Sequence, residues 1–189
     1  HMNSPFSFLQ HKIYHNTLEE WLIAIGIIVL SVILARFIYW LISNLLRQFT
    51  SRTVTGLDDL ILKRVDTPVA LGIILIGSRI AIERLDFSLK VEEYITRWFV
   101  FMSAMAITWL MSRIARAFIE HYFDRERSVN SRLDRQMMML VTRASVTAIW
   151  LLGLVVGLNN AGFNVGALIA GLGIGGLAIA LAAQDTVKN

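Results

Sequence analysis

The chain contains five runs of apolar residues that are long enough, or nearly long enough, to cross a lipid bilayer as helices. The hydrocarbon core of a bilayer requires about 20 predominantly apolar residues in one helix. The runs are 21–46, 68–82, 98–119, 140–158 and 166–183. No soluble globular fold can accommodate all of them. We therefore predict an all-α membrane protein with about five transmembrane helices.

The second run, 68–82, is the shortest. Thr67 precedes it as a candidate N-cap, and Pro68 then falls in the first turn, where proline is well tolerated. Charged residues follow the run directly, so the helix is expected to end there. On these signals the span is marginal for a membrane, and backward extension through 57–65 would lengthen it.

The distribution of charge predicts an orientation. The formal net charge is +4, and the basic residues cluster in the connections that follow the first and third runs. The connections after the second and fourth runs are acidic or uncharged. Because cytoplasmic loops carry the excess of lysine and arginine, we predict an amino terminus outside and a carboxyl terminus in the cytoplasm. Basic residues at membrane borders do not form one water-soluble basic face, so we expect no nucleic-acid partner.

The residues offer little for catalysis or cofactor binding. The chain has no cysteine, and its histidines all lie outside the five runs. The stretch 171–176 formally matches G-x-G-x-x-G, but dinucleotide binding requires a preceding strand and a soluble βαβ unit. We expect no enzyme activity, no metal and no cofactor. Broken helices, midplane polar sites and internal repeats, which are typical of transporters, are not evident.

The last run differs from the others because small residues dominate it. Six of the twelve glycines fall between Gly162 and Gly176. At about 100° per residue, one stripe lies between two faces of small residues. The stripe consists of Ala170, Ile174, Leu177, Leu181, Gln184 and Lys188. One face holds Gly173, Gly176, Ala180 and Ala183, and the other holds Gly171, Gly175, Ala178 and Ala182.

Small residues on both sides allow a like helix to pack closely on each side. Repetition by rotation closes such helices into a ring around the stripe, which is a pore. Leu177 and Leu181 would form an apolar throat that expels water and blocks ions, and selectivity should be weak because no charged ring lies at that throat. The same periodicity fits a tightly packed central helix in an ordinary bundle, as in a membrane scaffold or a transporter subunit.

The residues from Gly175 to Asp185, continuing to Asn189, resemble the pore helix of the MscS family of mechanosensitive channels. The likeness is close from Val165 onward and topological over the last three runs. The first two runs resemble the extra pair of helices in five-span members. The resemblance implies a homoheptamer in the bacterial inner membrane, with lipids and permeant ions as its partners. It also implies opening by membrane tension and protection against hypoosmotic shock.

The resemblance assigns roles to single residues of the last run. Leu177 and Leu181 would be the two constricting rings, with Gln184 following them. Family members often bend at a glycine just after this point, whereas this chain has Asp185. Ala180 likewise stands where a glycine is common in the family, which we expect to stiffen contacts around the ring.

The resemblance also divides the chain. Residues 1–93 would form an interfacial segment and two additional helices, residues 94–160 two tension-sensing helices with a basic cytoplasmic loop, and residues 161–189 the pore-lining helix. Family members continue into a cytoplasmic vestibule, so we expect this chain to be part of a longer protein.

Three arginines fall near the predicted inner interface, at the ends of the third and fourth runs: Arg113, Arg116 and Arg143. Basic side chains at this depth can bind lipid phosphates and so connect the helices to stress in the bilayer. They serve equally well as simple orientation anchors. The sequence leaves both interpretations open.

Overall fold

The computed structural model describes residues 12–13, 15–49, 57–125 and 132–188. These residues form five helices, and a two-stranded antiparallel ladder of β1 (Lys12–Ile13) and β2 (Asn16–Thr17) precedes the first of them. The helices are α1 (Leu18–Phe49), α2 (Leu57–Ile82), α3 (Leu89–Arg125), α4 (Arg132–Asn160) and α5 (Gly166–Lys188). The prediction of an all-α membrane protein is confirmed. The basic connections at 50–56 and 126–131 lie outside the described residues.

Four of the helices are long and apolar enough to cross a membrane. The qualifying segments are Leu18–Ile42, Leu89–Phe123, Gln136–Asn160 and Gly166–Gln184. Their side chains are largely exposed on the protein surface, which in water would be strongly unfavourable and in lipid is the expected arrangement. The four correspond to the first, third, fourth and fifth predicted runs.

Helix α2 corrects the predicted start of the second run. Its apolar part, Thr67–Ile82, is short, but the helix itself begins at Leu57 and has Pro68 inside it. The prediction that Thr67 caps the helix was therefore wrong, and the backward extension is confirmed. Proline in a helix interior removes one backbone hydrogen bond, and neighbouring helices can compensate for this loss in membrane proteins. Pro68 is indeed buried. That this helix crosses the membrane stays a prediction.

Helices α1 to α4 pack in chain order, with α1 against α2, α2 against α3 and α3 against α4. Small residues bring the neighbours together: Gly77 of α2 lies against Ser31 of α1, and Gly153 of α4 lies against Thr108 of α3. Both hydroxyl groups donate to carbonyl oxygens one turn earlier in their own helices, at 2.7 Å from Ser31 and 2.8 Å from Thr108. These bonds satisfy polar groups that would otherwise be unpaired inside an apolar interface.

A small core closes the end of the bundle at which α1 begins, which we call the amino-terminal end. Ala24 of α1, Ala81 of α2 and Leu85 of the α2–α3 turn are buried there, with Trp21 and Phe87 packed against them. The turn between α4 and α5 lies at the same end, because α4 runs antiparallel to α3. The tertiary core is thus concentrated in α1 to α4.

Candidate functional site

Helix α5 stands apart from the other four helices. Every described side chain between Gly166 and Gln184 is exposed, and among the described residues α5 packs extensively against none of α1 to α4. The helix nevertheless has the composition of a membrane span. An apolar helix that packs so little on the described part of its own protomer must be covered by lipid or by further protein chains.

The turn that directs α5 away from α4 has a defined geometry. Gly162 adopts a φ of +86°, and its N–H donates to Asn159 O at 3.0 Å. The next N–H, that of Phe163, donates to Leu158 O at 2.9 Å. These two bonds with a left-handed glycine are the Schellman motif, which ends helices at glycine because a side chain would be strained there. The sequence fragment Asn-Ala-Gly therefore ends α4 sharply.

Helix α5 begins directly after this turn. Val165 O accepts the first helical hydrogen bond, from Ile169 N at 2.9 Å. The side chain of Asn164 accepts a bond from Gly166 N at 3.0 Å, which satisfies one of the donors left free at a helix start. The entry to α5 is thus held by polar groups of the turn, in which Ala161 and Val165 are buried.

The residues of the predicted stripe are open to their surroundings. Ile174, Leu177 and Leu181 are 71%, 67% and 64% exposed, and Ala170 and Gln184 are exposed as well. Leu177 and Leu181 lie four residues apart, so they occupy the same face one turn from each other. The side chains of Asp185 and Lys188 lie outside the described residues, although the helix runs through both positions.

The glycines on the small faces of α5 have no neighbour among the described residues. A Cβ placed on any of its glycines Gly171, Gly173, Gly175 or Gly176 would meet nothing within 4 Å. The alanines Ala178, Ala180, Ala182 and Ala183 are exposed. By contrast, Gly77, Gly153 and Gly157 are each filled by a neighbouring helix of the same chain. The glycines of α2 and α4 at these positions therefore permit close packing inside the protomer. The four glycines on the small faces of α5 remain available for contacts with lipid or other chains.

Three arginines were predicted at the inner interface. Arg113 and Arg116 lie in the second half of α3, and Arg143 lies in the first half of α4. The guanidinium of Arg113 stacks over the Trp109 ring, with its Cζ 4.9 Å from the ring centroid. Arg116 and Arg143 are exposed. Binding of lipid phosphates by the three arginines stays a prediction.

Asn16 was not among the predicted site residues, although its side chain is fully buried at the amino-terminal end of the bundle. Its side chain bonds to the backbone of Asp86 across 70 positions of sequence. One local signal was present, because Thr17 and Glu20 match the capping box S/T-x-x-E that begins a helix. That signal locates the start of α1, but it says nothing of a partner 70 positions away.

Comparison with known proteins adds independent information about the last two helices. The family model described as "Mechanosensitive ion channel, transmembrane helices 2/3" matches residues 146–184. These residues are the second half of α4 and nearly all of α5, including the whole described stripe. The chain is similar to the MscS family of mechanosensitive channels.

Relatives of the MscS family match almost the whole chain. The large-conductance mechanosensitive channel MscMJLR of Methanocaldococcus jannaschii is 27% identical over 177 residues, which are 93% of this chain and 49% of the relative. The small-conductance mechanosensitive channel MscMJ of the same organism is 29% identical over 182 residues, which cover 94% of this chain and 51% of the relative. An uncharacterised MscS family protein of Aquifex aeolicus is 28% identical over an alignment of 193 residues, which covers 96% of this chain and 49% of the relative. No solved structure matches significantly.

These matches bear on the two additional helices. At 93–96% coverage of this chain, the alignments extend over α1 and α2 as well as over the family helices. The residues that form α1 and α2 here are therefore included in these alignments. The chain spans about half the length of the curated relatives it matches.

Proposed function

We propose that this chain forms the membrane-embedded pore of a mechanosensitive channel, a homoheptameric ring in which α5 lines the conduit. One observation carries the proposal: α5 is apolar, its described side chains from Gly166 to Gln184 are exposed, and a Cβ on Gly171, Gly173, Gly175 or Gly176 would meet nothing within 4 Å. Copies of the same helix fit both faces, because close backbone approach requires small residues on each partner. Relatives named as large- and small-conductance mechanosensitive channels support this function.

The gate in this proposal is an apolar throat. Rings of Leu177 and Leu181 face the axis, where a narrow hydrophobic passage expels water and stops ions. Ala170 and Ile174 line the conduit on one side of the throat, and Gln184 and Lys188 line it on the other. No charged side chain lies within the throat itself, so the open channel discriminates weakly among ions.

Tension opens the throat by favouring the state that occupies more membrane area. Helices α3 and α4 pack along their length, and their exposed apolar side chains give them a broad surface toward lipid. Outward tilting of this pair pulls on α5 through the turn at Gly162. In a bacterial inner membrane, with the carboxyl terminus cytoplasmic, such a channel releases solutes during hypoosmotic shock. Arg113, Arg116 and Arg143 bind lipid phosphates at the inner interface.

Patch-clamp recording under stepped suction tests the proposal, with the protein reconstituted in liposomes. Leu177→Ser hydrates the throat and should open the channel at lower tension, or leave it leaking at rest. Leu172→Ser is the matched control, because Leu172 lies off the stripe and its variant should keep the parent threshold. Equal behaviour of both variants and the parent would rule out the Leu177 constriction.

The oligomeric state separates the channel from a membrane scaffold. Native mass spectrometry of the detergent-solubilised protein should give a ring, with seven copies expected. A stable monomer that carries no stretch-activated current would refute the pore and support a scaffold with a close-packing helix.

A further inference from the structure

The side chain of Asn16 forms a two-point contact with the backbone of Asp86. Its Nδ2 donates to Asp86 O at 3.0 Å, and Asp86 N donates to its Oδ1 at 2.6 Å. The carboxamide thus presents a donor and an acceptor side by side, as the backbone of a neighbouring strand would. Asn16 is fully buried, so water does not compete for either bond.

Local structure attaches Asn16 firmly to the start of α1. A turn at His15, with a φ of +78°, separates β1 from β2 and places Asn16 at the beginning of the second strand. Thr17 and Glu20 then form a reciprocal capping box, in which Thr17 N donates to Glu20 Oε2 at 2.8 Å and Glu20 N donates to Thr17 Oγ1 at 3.3 Å. Displacement of Asn16 therefore requires displacement of the first turn of α1.

A ring contact reinforces the same junction. Trp21 of α1 meets Phe87 of the α2–α3 turn edge to face, with ring centroids 6.5 Å apart. We call the junction of Asn16 and Trp21 with Asp86 and Phe87 the Asn16 clasp. It joins the beginning of α1 to the turn from which α3 departs, two elements that the chain itself connects only through all of α2.

We propose that Asn16 is a positioning residue for gating, and this inference rests on the proposed mechanosensitive function. Helix α1 packs on α2 and exposes a broad apolar face, so lateral tension in the lipid acts on it directly. Through the clasp, α1 and the beginning of α3 move together. A displacement of α1 is then transmitted to the tension-sensing pair α3 and α4. Without the clasp, α1 would slide along α2 and leave α3 in place.

The chemistry of the clasp requires an amide. A carboxylate at position 16 accepts the bond from Asp86 N but has no proton for Asp86 O, and the two oxygens then repel each other. Protonation restores the donor. Because the protonated form is the one that bonds, the pKa of the introduced carboxyl is raised, and the clasp forms at low pH and is lost as pH rises.

The experiment compares Asn16→Asp with the parent in liposome patches at pH 7 and at about pH 4, near the ordinary pKa of an aspartate. We expect the midpoint tension of the variant to rise above the parent value at pH 7. At the lower pH it should return toward the parent value measured at that pH. The neighbouring titratable groups, those of His15, Glu19, Glu20 and Asp86, are present in both proteins, so the comparison isolates the introduced carboxyl.

Ser88→Asp is the matched control. Ser88 is the residue before α3, its backbone oxygen accepts the bond from Glu92 N, and aspartate is a good helix cap there. The variant adds the same charge two positions from Asp86 and leaves the amide in place. We expect the parent threshold at both pH values. An equal shift of the midpoint tension in both variants would mean that the added surface charge causes the effect, and it would overturn the inference.

Other results of the same recordings would also test the inference. An Asn16→Asp midpoint at or below that of the parent at pH 7 would show that the clasp does not transmit tension. If Asn16→Asp fails to assemble, Phe87→Leu carries the test, because it keeps both hydrogen bonds and removes the ring contact; it too should raise the midpoint. Absence of stretch-activated current in the parent would instead refute the proposed function itself, so the two failures are distinguishable.

Discussion

Gly77 of α2 lies so close to Ser31 of α1 that a Cβ on Gly77 would overlap both Oγ and Cβ of the serine. The two residues mark the closest approach of α1 and α2 among the described glycines. Ser31 keeps its hydroxyl hydrogen bonded to Ile27 O at 2.7 Å, so its side chain is held in place and cannot easily turn away.

We expect Gly77→Ala to destabilise the protein by about 1–3 kcal/mol, the usual effect of forcing extra volume into a packed interface. Gly72→Ala is the control in the same helix, because a Cβ there meets nothing within 4 Å. That variant should be neutral, or more stable by up to about 1 kcal/mol through helix propensity. Thermal unfolding in detergent micelles measures both. The contact would be refuted if the two variants had equal melting temperatures.

A double variant isolates the contact between the two residues. Ser31→Gly removes the atoms that obstruct a methyl group at position 77, so Gly77→Ala should cost less in that background than in the parent. A double-mutant cycle gives the coupling directly. Strict additivity would mean that the Gly77→Ala defect arises somewhere other than at Ser31.

The turn at Gly162 leads to the second prediction. Its φ of +86° is strained for residues with a side chain, and Arg97 Cζ would stand 3.7 Å from an added Cβ, which is ordinary contact. Backbone strain therefore dominates, and Gly162→Ala should lower stability by about 1–2 kcal/mol. Gly162→Asn should lower it less, since asparagine tolerates this conformation. Thermal unfolding of the two variants provides the comparison, and an alanine variant as stable as the asparagine variant would contradict the prediction.

The third prediction concerns charge at the mouth of the throat. If the exposed side chain of Gln184 lines the conduit one turn beyond Leu181, a ring of charge there will attract counter-ions. Gln184→Glu should make the open channel more selective for cations, and Gln184→Lys more selective for anions. Reversal potentials in asymmetric KCl should move in opposite directions for the two variants. Two unchanged reversal potentials would place Gln184 outside the conduit.

Much of the fold followed from local composition. Long apolar runs predicted α1, α3, α4 and α5, because transfer of each run into hydrocarbon is favourable whatever its neighbours are. Boundaries were less predictable. Thr67 and Pro68 have the residue types of a helix start, yet α2 begins at Leu57 and passes through both. Packing of neighbouring helices can compensate for a proline inside a membrane helix.

The sequence also predicts the candidate pore helix. The spacing of Leu177 and Leu181 between two small-residue faces depends only on helical periodicity. The family match over residues 146–184 agrees with it. What periodicity left open was whether those faces meet other helices of the same protomer. In the described residues nothing lies within 4 Å of a Cβ placed on Gly171, Gly173, Gly175 or Gly176, which favours contacts between copies.

The sequence by itself thus determined that the chain is a helical membrane protein with one unusual, small-residue helix, because hydropathy and periodicity are properties of consecutive residues. Only the tertiary structure decided which glycines serve packing inside the protomer, where α5 stands, and that Asn16 bonds to Asp86. Those outcomes depend on shape and hydrogen-bond complementarity between segments far apart in the chain. Neither residue of such a pair carries a local signal of its partner.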